Sequence, residues 1–509
     1  MLDPRLEVHG ARTQYGARRR RGLGAQRGVL RREGVSRLII QKFGGTSVED
    51  AAALARLTEV VAHARAGQPI VVVSAMGRTT NRLVEALDFA VAGNWPAARQ
   101  ILVRLKQDTS TIVSDANPGD SGAASAEIEP FFEELESMAQ AIAVLKSVPA
   151  DARDHFLAQG ELISSVVVAR VLMRAGIPAV RVDARDALAT DDHFGRAAPD
   201  FETTRVWAGE RLGGPASAGK VPVVGGFVGR SPGGQTTVLG RGGSDYSAAI
   251  FGACLDVERV EIWTDVDGMM TADPRIVPEA RVLDRISAEE ASELAYFGAR
   301  VLHPLTLAPA IERGIPIRIR NSRRPDRSGT DILPAAPAGD DEVRSIACKR
   351  GIATVDVATT RMLMASGFLR TLFEVFAKYD TPVDMVTTSE ISVSVTVDDL
   401  TRIKEVRRDL EKMAKVEIAT DRAIVCLVGQ NLKYTPGIAG RIFGVLDDVN
   451  VLMISQGASR RNVSFVVEDA DVENVVCRLH RAFFEDGKGA RTDSATASAS
   501  TATATDRRA

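Results

Sequence analysis

The sequence reads as an α/β domain, a mostly parallel sheet covered by helices, followed by two α+β modules of βαββαβ plan. Three observations predict this. Across residues 38–321 short apolar runs (38–40, 70–74, 180–183, 221–224, 260–263) alternate with amphipathic stretches, as buried strands and crossover helices do. Glycine-rich turns stand at the ends of several of those runs. Beyond them lies an internal repeat: Gly367, Phe373, Val375, Val393 and Val395 are answered, 70 residues on, by Gly437, Phe443, Val445, Val463 and Phe465. Residues 383–386 pair with 451–454 after a small gap. The expected division is a basic arm at 1–37, an α/β domain at 38–321, a linker at 322–344, repeat modules at 345–420 and 421–486, and a tail at 487–509.

Composition narrows the class. A chain of 509 residues, 45% hydrophobic, has core enough for about three or four units of ordinary size. No apolar run approaches the roughly 20 residues a membrane-spanning helix needs, so a globular protein without a membrane partner is expected. Cys254, Cys348, Cys426 and Cys477 lie far apart, which suggests neither a zinc site nor a disulfide framework and fits a reducing cytosol. Residues 1–37 hold ten arginines against Asp3, Glu7 and Glu33, a local charge of +7 that leaves −9 on the remainder. A disordered arm, a transit peptide and an unused upstream start compete there. The acidic residues, scarce serine and missing apolar segment favour a dispensable arm, and with Tyr15 its one aromatic no nucleic-acid partner is expected. The Ala/Thr/Ser run at 489–509 is expected to be disordered.

Taken in order, the first strand enters Lys42-Phe43-Gly44-Gly45-Thr46-Ser47 and a helix leaves it. Ser47 and Asp50 have capping-box spacing, Leu54, Leu57, Val61 and Ala64 share a face, and Gly67 closes the helix. Free N–H groups and a positive helix end gather beside one lysine, a sound seat for a polyphosphate, although a plain βα turn with a solvated Lys42 fits the local pattern too. Because the lysine precedes the glycines, this is no Walker A loop. The second strand ends in the polar loop 75–81, which contains Thr80. Ligands in such folds collect at strand C-terminal ends. Residues 94–146 read as mostly helical with a break at Pro118-Gly119. Gln159-Gly160-Glu161 opens a helix, so that Glu161 stands in a first turn, either as a good N-terminal residue or as the holder of a cationic ligand.

The densest signal is 236–247. Arg241 offers a planar fork to a carboxylate, Gly242-Gly243 lets backbone wrap a charged group, and Ser244 and Asp245 sit where a helix begins. Strand 260–263 then ends in Thr264-Asp265-Val266-Asp267-Gly268, which reads as nucleotide contacts, an ordinary turn, or a calcium-loop fragment lacking its glutamate.

Lys-Phe-Gly-Gly-Thr-Ser at 42, Gly-Arg-Gly-Gly-Ser-Asp at 240, Trp-Thr-Asp-Val-Asp-Gly at 263 and Phe-Gly-Ala-Arg-Val-Leu-His-Pro at 297 resemble, in this order, four signatures of the aspartate kinases. The likeness covers about residues 38–485 and is strongest to lysine-sensitive monofunctional bacterial members. It implies the amino-acid kinase fold with two C-terminal ACT modules, and transfer of the γ-phosphoryl of Mg-ATP to the β-carboxylate of L-aspartate, the first step toward lysine, threonine and methionine. It also implies Lys42 and Asp245 as catalytic residues. Thr80, Glu161, Arg241, Gly242, Gly243 and Ser244 would hold aspartate. Phe43, Gly44, Gly45, Thr264, Asp265, Met270, Arg275, Arg300 and Val301 would hold ATP, with magnesium carried mainly by the nucleotide and no metal cage from the protein. Met270 replaces a tyrosine of those members and Arg300 a lysine. His303, before Pro304, reads as structural.

In the repeats the resemblance implies a homodimer joined through the ACT modules and a feedback site for lysine at Met362, Phe368, Leu369, Val383, Asp384, Ser389 and Glu390. Ala365 and Pro382 stand where that set has serines and Met364 where it has a histidine, so threonine stays open as the effector. Two other readings also stand beside aspartate kinase: a related amino-acid kinase with a different carboxylate substrate, and an inactive ACT-type sensor.

Overall fold

The computed structural model describes residues 38–485 apart from 117–118, 120, 299–303, 336–341 and 360–366. The expected arm and the expected tail lie outside the described residues.

The first half alternates strand and helix: β1 (Ile39–Phe43), α1 (Ala51–His63), β2 (Pro69–Val73), α2 (Thr79–Val91), α3 (Trp95–Ala116), α4 (Ser121–Leu145), α5 (Ala150–Arg174) and β3 (Ala179–Val182). There follow α6 (Phe201–Ala208), α7 (Gly214–Ser217), β4 (Val221–Gly225), β5 (Val228–Arg230), β6 (Thr236–Val238), α8 (Gly243–Leu255) and β7 (Arg259–Thr264). The half closes with β8 (Arg285–Ser287), α9 (Ala288–Tyr296), α10 (Pro304–Glu312), β9 (Ile317–Asn321) and β10 (Thr330–Leu333). Eight strands form one sheet in the order β3-β4-β2-β1-β7-β9-β10-β8, parallel except where β9 meets β10. β1 lies near the middle with all five residues buried, as the continuous apolar run requires of a strand covered on both faces.

Four details differ from the sequence reading. α1 is capped by Asp50, whose carboxylate accepts the Ala53 N–H at 2.7 Å; Ser47 instead donates to Ser322 Oγ at 2.8 Å and ties the β1 loop to β9. α5 begins at Ala150, so Glu161 sits in mid-helix and owes nothing to a helix end. That helix is long and apolar enough to cross a membrane, contrary to expectation, but 89% of its apolar window is buried inside the protein, the setting of a core helix. Finally, part of the expected linker is β10, which closes the sheet against β9 and β8.

The second half comprises β11 (Val343–Ala358), α11 (Phe368–Lys378), β12 (Val386–Thr388), β13 (Ser392–Val397), α12 (Ile403–Leu410), β14 (Lys415–Gly429), α13 (Ile438–Gly444), β15 (Met453–Gln456), β16 (Asn462–Glu468) and α14 (Val472–His480). Its six strands run β12-β13-β11-β14-β16-β15. Both repeats start their helix from a left-handed glycine, Gly367 at φ 96° and Gly437 at φ 78°, where a side chain would be strained. The expected division at 420/421 falls inside β14. One end of β14 pairs with Thr354–Ala358 of the first repeat, while Ala423–Gly429 pairs with Val343–Arg350, which precedes it. The second module therefore takes its last strand from upstream of the first.

One buried apolar cluster runs from Leu38 and Ile40 through Leu294 and Phe297 to Ala347, Ile352, Ile424, Cys426 and Val428, so the two halves share a core.

Candidate active site

Where β1, β2 and β4 end, a cavity of about 520 Å³ opens. The close approach of two loops shapes it. A Cβ on Gly45 would lie 2.9 Å from the Ala75 carbonyl oxygen, and Gly45 O accepts the Gly77 N–H at 3.0 Å, so only glycine lets the β1 loop press on the β2 loop. Its wall includes Lys42, Gly45, Thr80, Glu161, Arg241, Gly242, Gly243, Ser244 and Asp245, all expected site residues.

Lys42 is the penultimate residue of β1, and its Nζ lies 2.6 Å from Asp245 Oδ1 in the first turn of α8; the side chains are 9% and 16% exposed. α8 starts from Gly242 at φ 73°, and its first residue, Gly243, has no room for a Cβ, which would stand 2.6 Å from Phe227 Cδ2. The lysine, with the positive end of α8, gives one wall a cationic character suited to phosphoryl oxygens. Arg241, just before the helix, has no hydrogen bond or ion pair with any described residue and lines the cavity with its guanidinium uncommitted.

Glu161 is buried opposite, with Oε2 lacking a partner among the described residues. Burial pushes its carboxyl up to about 8, against the pull of the Ala75 N–H and the Lys42 charge. Such a group calls for a cation. Gly225 abuts the Glu161 backbone and Gly226 abuts Ser244, where added Cβ atoms would lie 3.0 and 2.7 Å from their nearest neighbours.

The remaining expected nucleotide contacts that are among the described residues do not line this cavity. Phe43 is in the core and stacks on Trp263 at 6.1 Å, and the Gly44 N–H is given to Trp263 O. Thr264 ends β7 beside β9 with Asp265 just after it, Met270 bridges to Val282, and Arg275 is exposed and paired with Asp273 at 2.6 Å. Arg300 and Val301 lie outside the described residues, as does Met362 of the regulatory set. The reading from sequence missed Arg153, Asp154 and Leu157, which line the cavity from α5. Asp154, Leu157 and Glu161 share the i, i+3, i+7 spacing of one helical face, a signal lost when the helix is started at 159. Among the described residues no cluster of three or more His, Cys, Asp or Glu side chains is placed to hold a metal ion.

In the second half Phe368 and Leu369 open α11, and Ser389 and Glu390 form an exposed turn between β12 and β13. Asp384 differs from its expected role as an open ligand: its side chain is 2% exposed and held by Lys349 Nζ at 2.9 and 3.0 Å and by the Tyr296 hydroxyl at 2.5 Å.

The amino acid kinase family model matches residues 37–321, and an ACT domain model matches 425–483. The chain is 37% identical over 468 residues to aspartokinase 1, chloroplastic, of Arabidopsis thaliana, covering 88% of this chain and 80% of that one. It is 35% identical to the lysine-sensitive aspartokinase 3 of Escherichia coli, covering 89% and 100%. The chain belongs to the aspartokinase family. Solved structures of E. coli aspartokinase III, one in complex with aspartate and ADP and one with lysine and aspartate, each superpose with a TM-score of 0.77 over 88% of this chain and all of that one, at 35% and 34% identity. Aspartokinases are ATP-dependent kinases acting on the aspartate side-chain carboxylate, and this is the activity of the chain. A cavity with Lys42 and Arg241 as cations and a buried Glu161 suits a substrate carrying two carboxylates and one ammonium group.

Proposed function

We propose that the cavity is the aspartate and phosphoryl-transfer site, a reading carried by the 2.6 Å Lys42–Asp245 pair at its wall. In this reading Arg241, with Ser244 and the backbone of Gly242-Gly243, clamps the α-carboxylate, Glu161 takes the ammonium group, and Thr80 closes the pocket. The β-carboxylate is ionised at neutral pH and needs no general base. One of its oxygens forms a bond to the γ-phosphorus as the bond from that phosphorus to the bridging oxygen of ADP breaks. Lys42, fixed by Asp245, places its charge on the moving phosphoryl group, so its work is positioning and charge stabilisation. Of the β1 loop, Gly45 at the cavity wall would carry the phosphates on backbone, while Phe43 and Gly44 would hold that loop in place from the core and through Trp263 O. Thr264, Asp265, Met270, Arg275, Arg300 and Val301 would form the nucleotide side. Magnesium accompanying ATP would be held mainly by the phosphates and would neutralise their charge.

Hydroxamate trapping of the acyl phosphate tests this directly. Lys42→Ala should lose activity by about a thousandfold or more, the scale of a removed charge stabiliser, while keeping its circular dichroism. Appreciable residual turnover would contradict the role.

Lysine is proposed as the feedback effector, bound near Phe368, Leu369, Val383, Ser389 and Glu390, with support from the lysine-bound E. coli structure. Inhibition assays with lysine, threonine and methionine, alone and paired, decide the effector, and undiminished lysine inhibition in Glu390→Ala would remove that residue from the site. A homodimer through the ACT modules is supported by exposed Val386, Ile391 and Ile454 on their rim. Free Cys254, Cys348, Cys426 and Cys477 fit a cytoplasmic setting.

A further inference from the structure

Asp154 lies on the cavity-facing side of α5 and is 1% exposed. One carboxylate oxygen, Oδ2, accepts two backbone N–H groups from different segments, Gly195 at 2.8 Å and Val238 at 3.0 Å. The other, Oδ1, is buried and has no partner among the described residues.

The two segments it joins flank the turn that presents Arg241. Val238 ends β6, three residues before the arginine. Gly195 is at the tip of a loop whose neck is closed by Asp191, which accepts the Ala198 N–H at 2.9 Å. That tip presses on Gly240: a Cβ there would lie 3.1 Å from Gly195 O, and Gly240 is left-handed at φ 79°. Val238 O in turn accepts the Ala197 N–H at 2.9 Å. The backbone before Arg241 is therefore braced from both sides, and a single buried carboxylate holds the brace. Arg241 itself has no partner among the described residues to fix its guanidinium, so its aim depends on this backbone.

We propose that Asp154 is a positioning residue for aspartate: through Gly195 and Val238 it fixes the turn that aims Arg241 at the substrate carboxylate. The inference rests on the reading of Arg241 as the carboxylate clamp. A residue that acts this way governs aspartate binding and leaves ATP binding alone. It also works through an acceptor atom, since the amide oxygen of an asparagine can take both N–H groups while its nitrogen replaces the unpaired Oδ1.

The test measures KM for aspartate, KM for ATP and kcat in Asp154→Ala, Asp154→Asn and Arg241→Lys in the full chain. Asp154→Ala should raise KM for aspartate about tenfold, equivalent to about 1.4 kcal/mol, with KM for ATP and kcat nearly unchanged. Asp154→Asn should restore most of the loss. An alanine variant with ordinary KM for aspartate overturns the proposal, as does a uniform loss in all three constants. An asparagine variant as impaired as alanine also overturns it, because the charge and not the brace would then matter. Arg241→Lys separates the two claims: impaired beside an unaffected Asp154→Ala, it leaves the clamp standing and removes the positioning role, whereas an unimpaired Arg241→Lys removes both.

Discussion

Glu161 carries the clearest consequence of a single residue's surroundings. Its carboxyl is pushed from 4.5 up to about 8 by burial, so at neutral pH its protonated form predominates unless a cation pairs with it. Only the ionised form pairs well with an ammonium group, so kcat/KM for aspartate should rise with pH up to about 8, and Glu161→Gln should flatten that limb while raising KM for aspartate. The sign for stability is the opposite. The folded chain keeps a proton that the unfolded chain releases above 4.5, so this group's contribution is fully present below 4.5 and is lost as pH rises through about 8. Chemical denaturation across that range should therefore show Glu161→Gln losing less stability with pH than the unmodified chain. The sequence singles out Glu161 as a candidate, but its mid-helix place was not legible. Gln159-Gly160 looks like a helix start only if the preceding turns are overlooked, and burial of Asp154 and Gln159 makes those turns look polar.

At the scale of elements, α9 joins the halves. Glu293 accepts from Ser459 Oγ at 2.7 Å and Asn462 Nδ2 at 2.6 Å, Glu289 accepts from Arg461 Nε at 2.6 Å, and at the helix end Tyr296 reaches Asp384. Lys349 completes this junction, bonding Asp384 and Asp398 and lying 5.0 Å from the Tyr296 ring centre. Removing the cation leaves the buried Asp384 side chain with the Tyr296 hydroxyl but without its counter-charge. Lys349→Met should cost about 3–5 kcal/mol, and adding Asp384→Asn to the same chain should recover part of it; a double-mutant cycle with no coupling would refute the pair. None of this was readable beforehand, since Tyr296, Lys349 and Asp384 are distant in sequence and Asp384 alone reads as a free carboxylate. The repeat was readable because its signal is local: Gly367 and Gly437 start the helices, and Val393 and Val463 lie on matching strands. The exchange of strands within β11 and β14 has no such signal, because pairing partners are chosen by the assembled sheet.

For the molecule as a whole, the shared core decides how it comes apart. Ile424 is fully buried in β14, in the same apolar cluster as Leu38 and Ile40 at the start of the catalytic sheet and Leu294 of α9. A cavity there weakens contacts belonging to both halves, and neither can shed the other without exposing that surface. Ile424→Ala should cost about 2–5 kcal/mol, even though the residue is remote in sequence from every residue of the cavity. The loss should appear as the same downward shift in the temperature at which kinase activity disappears and in the midpoint of the far-ultraviolet transition. If the ACT modules instead melted early while activity survived to the original temperature, the core would be divided in function, and the continuity from Ile40 to Ile424 would carry no cooperative energy.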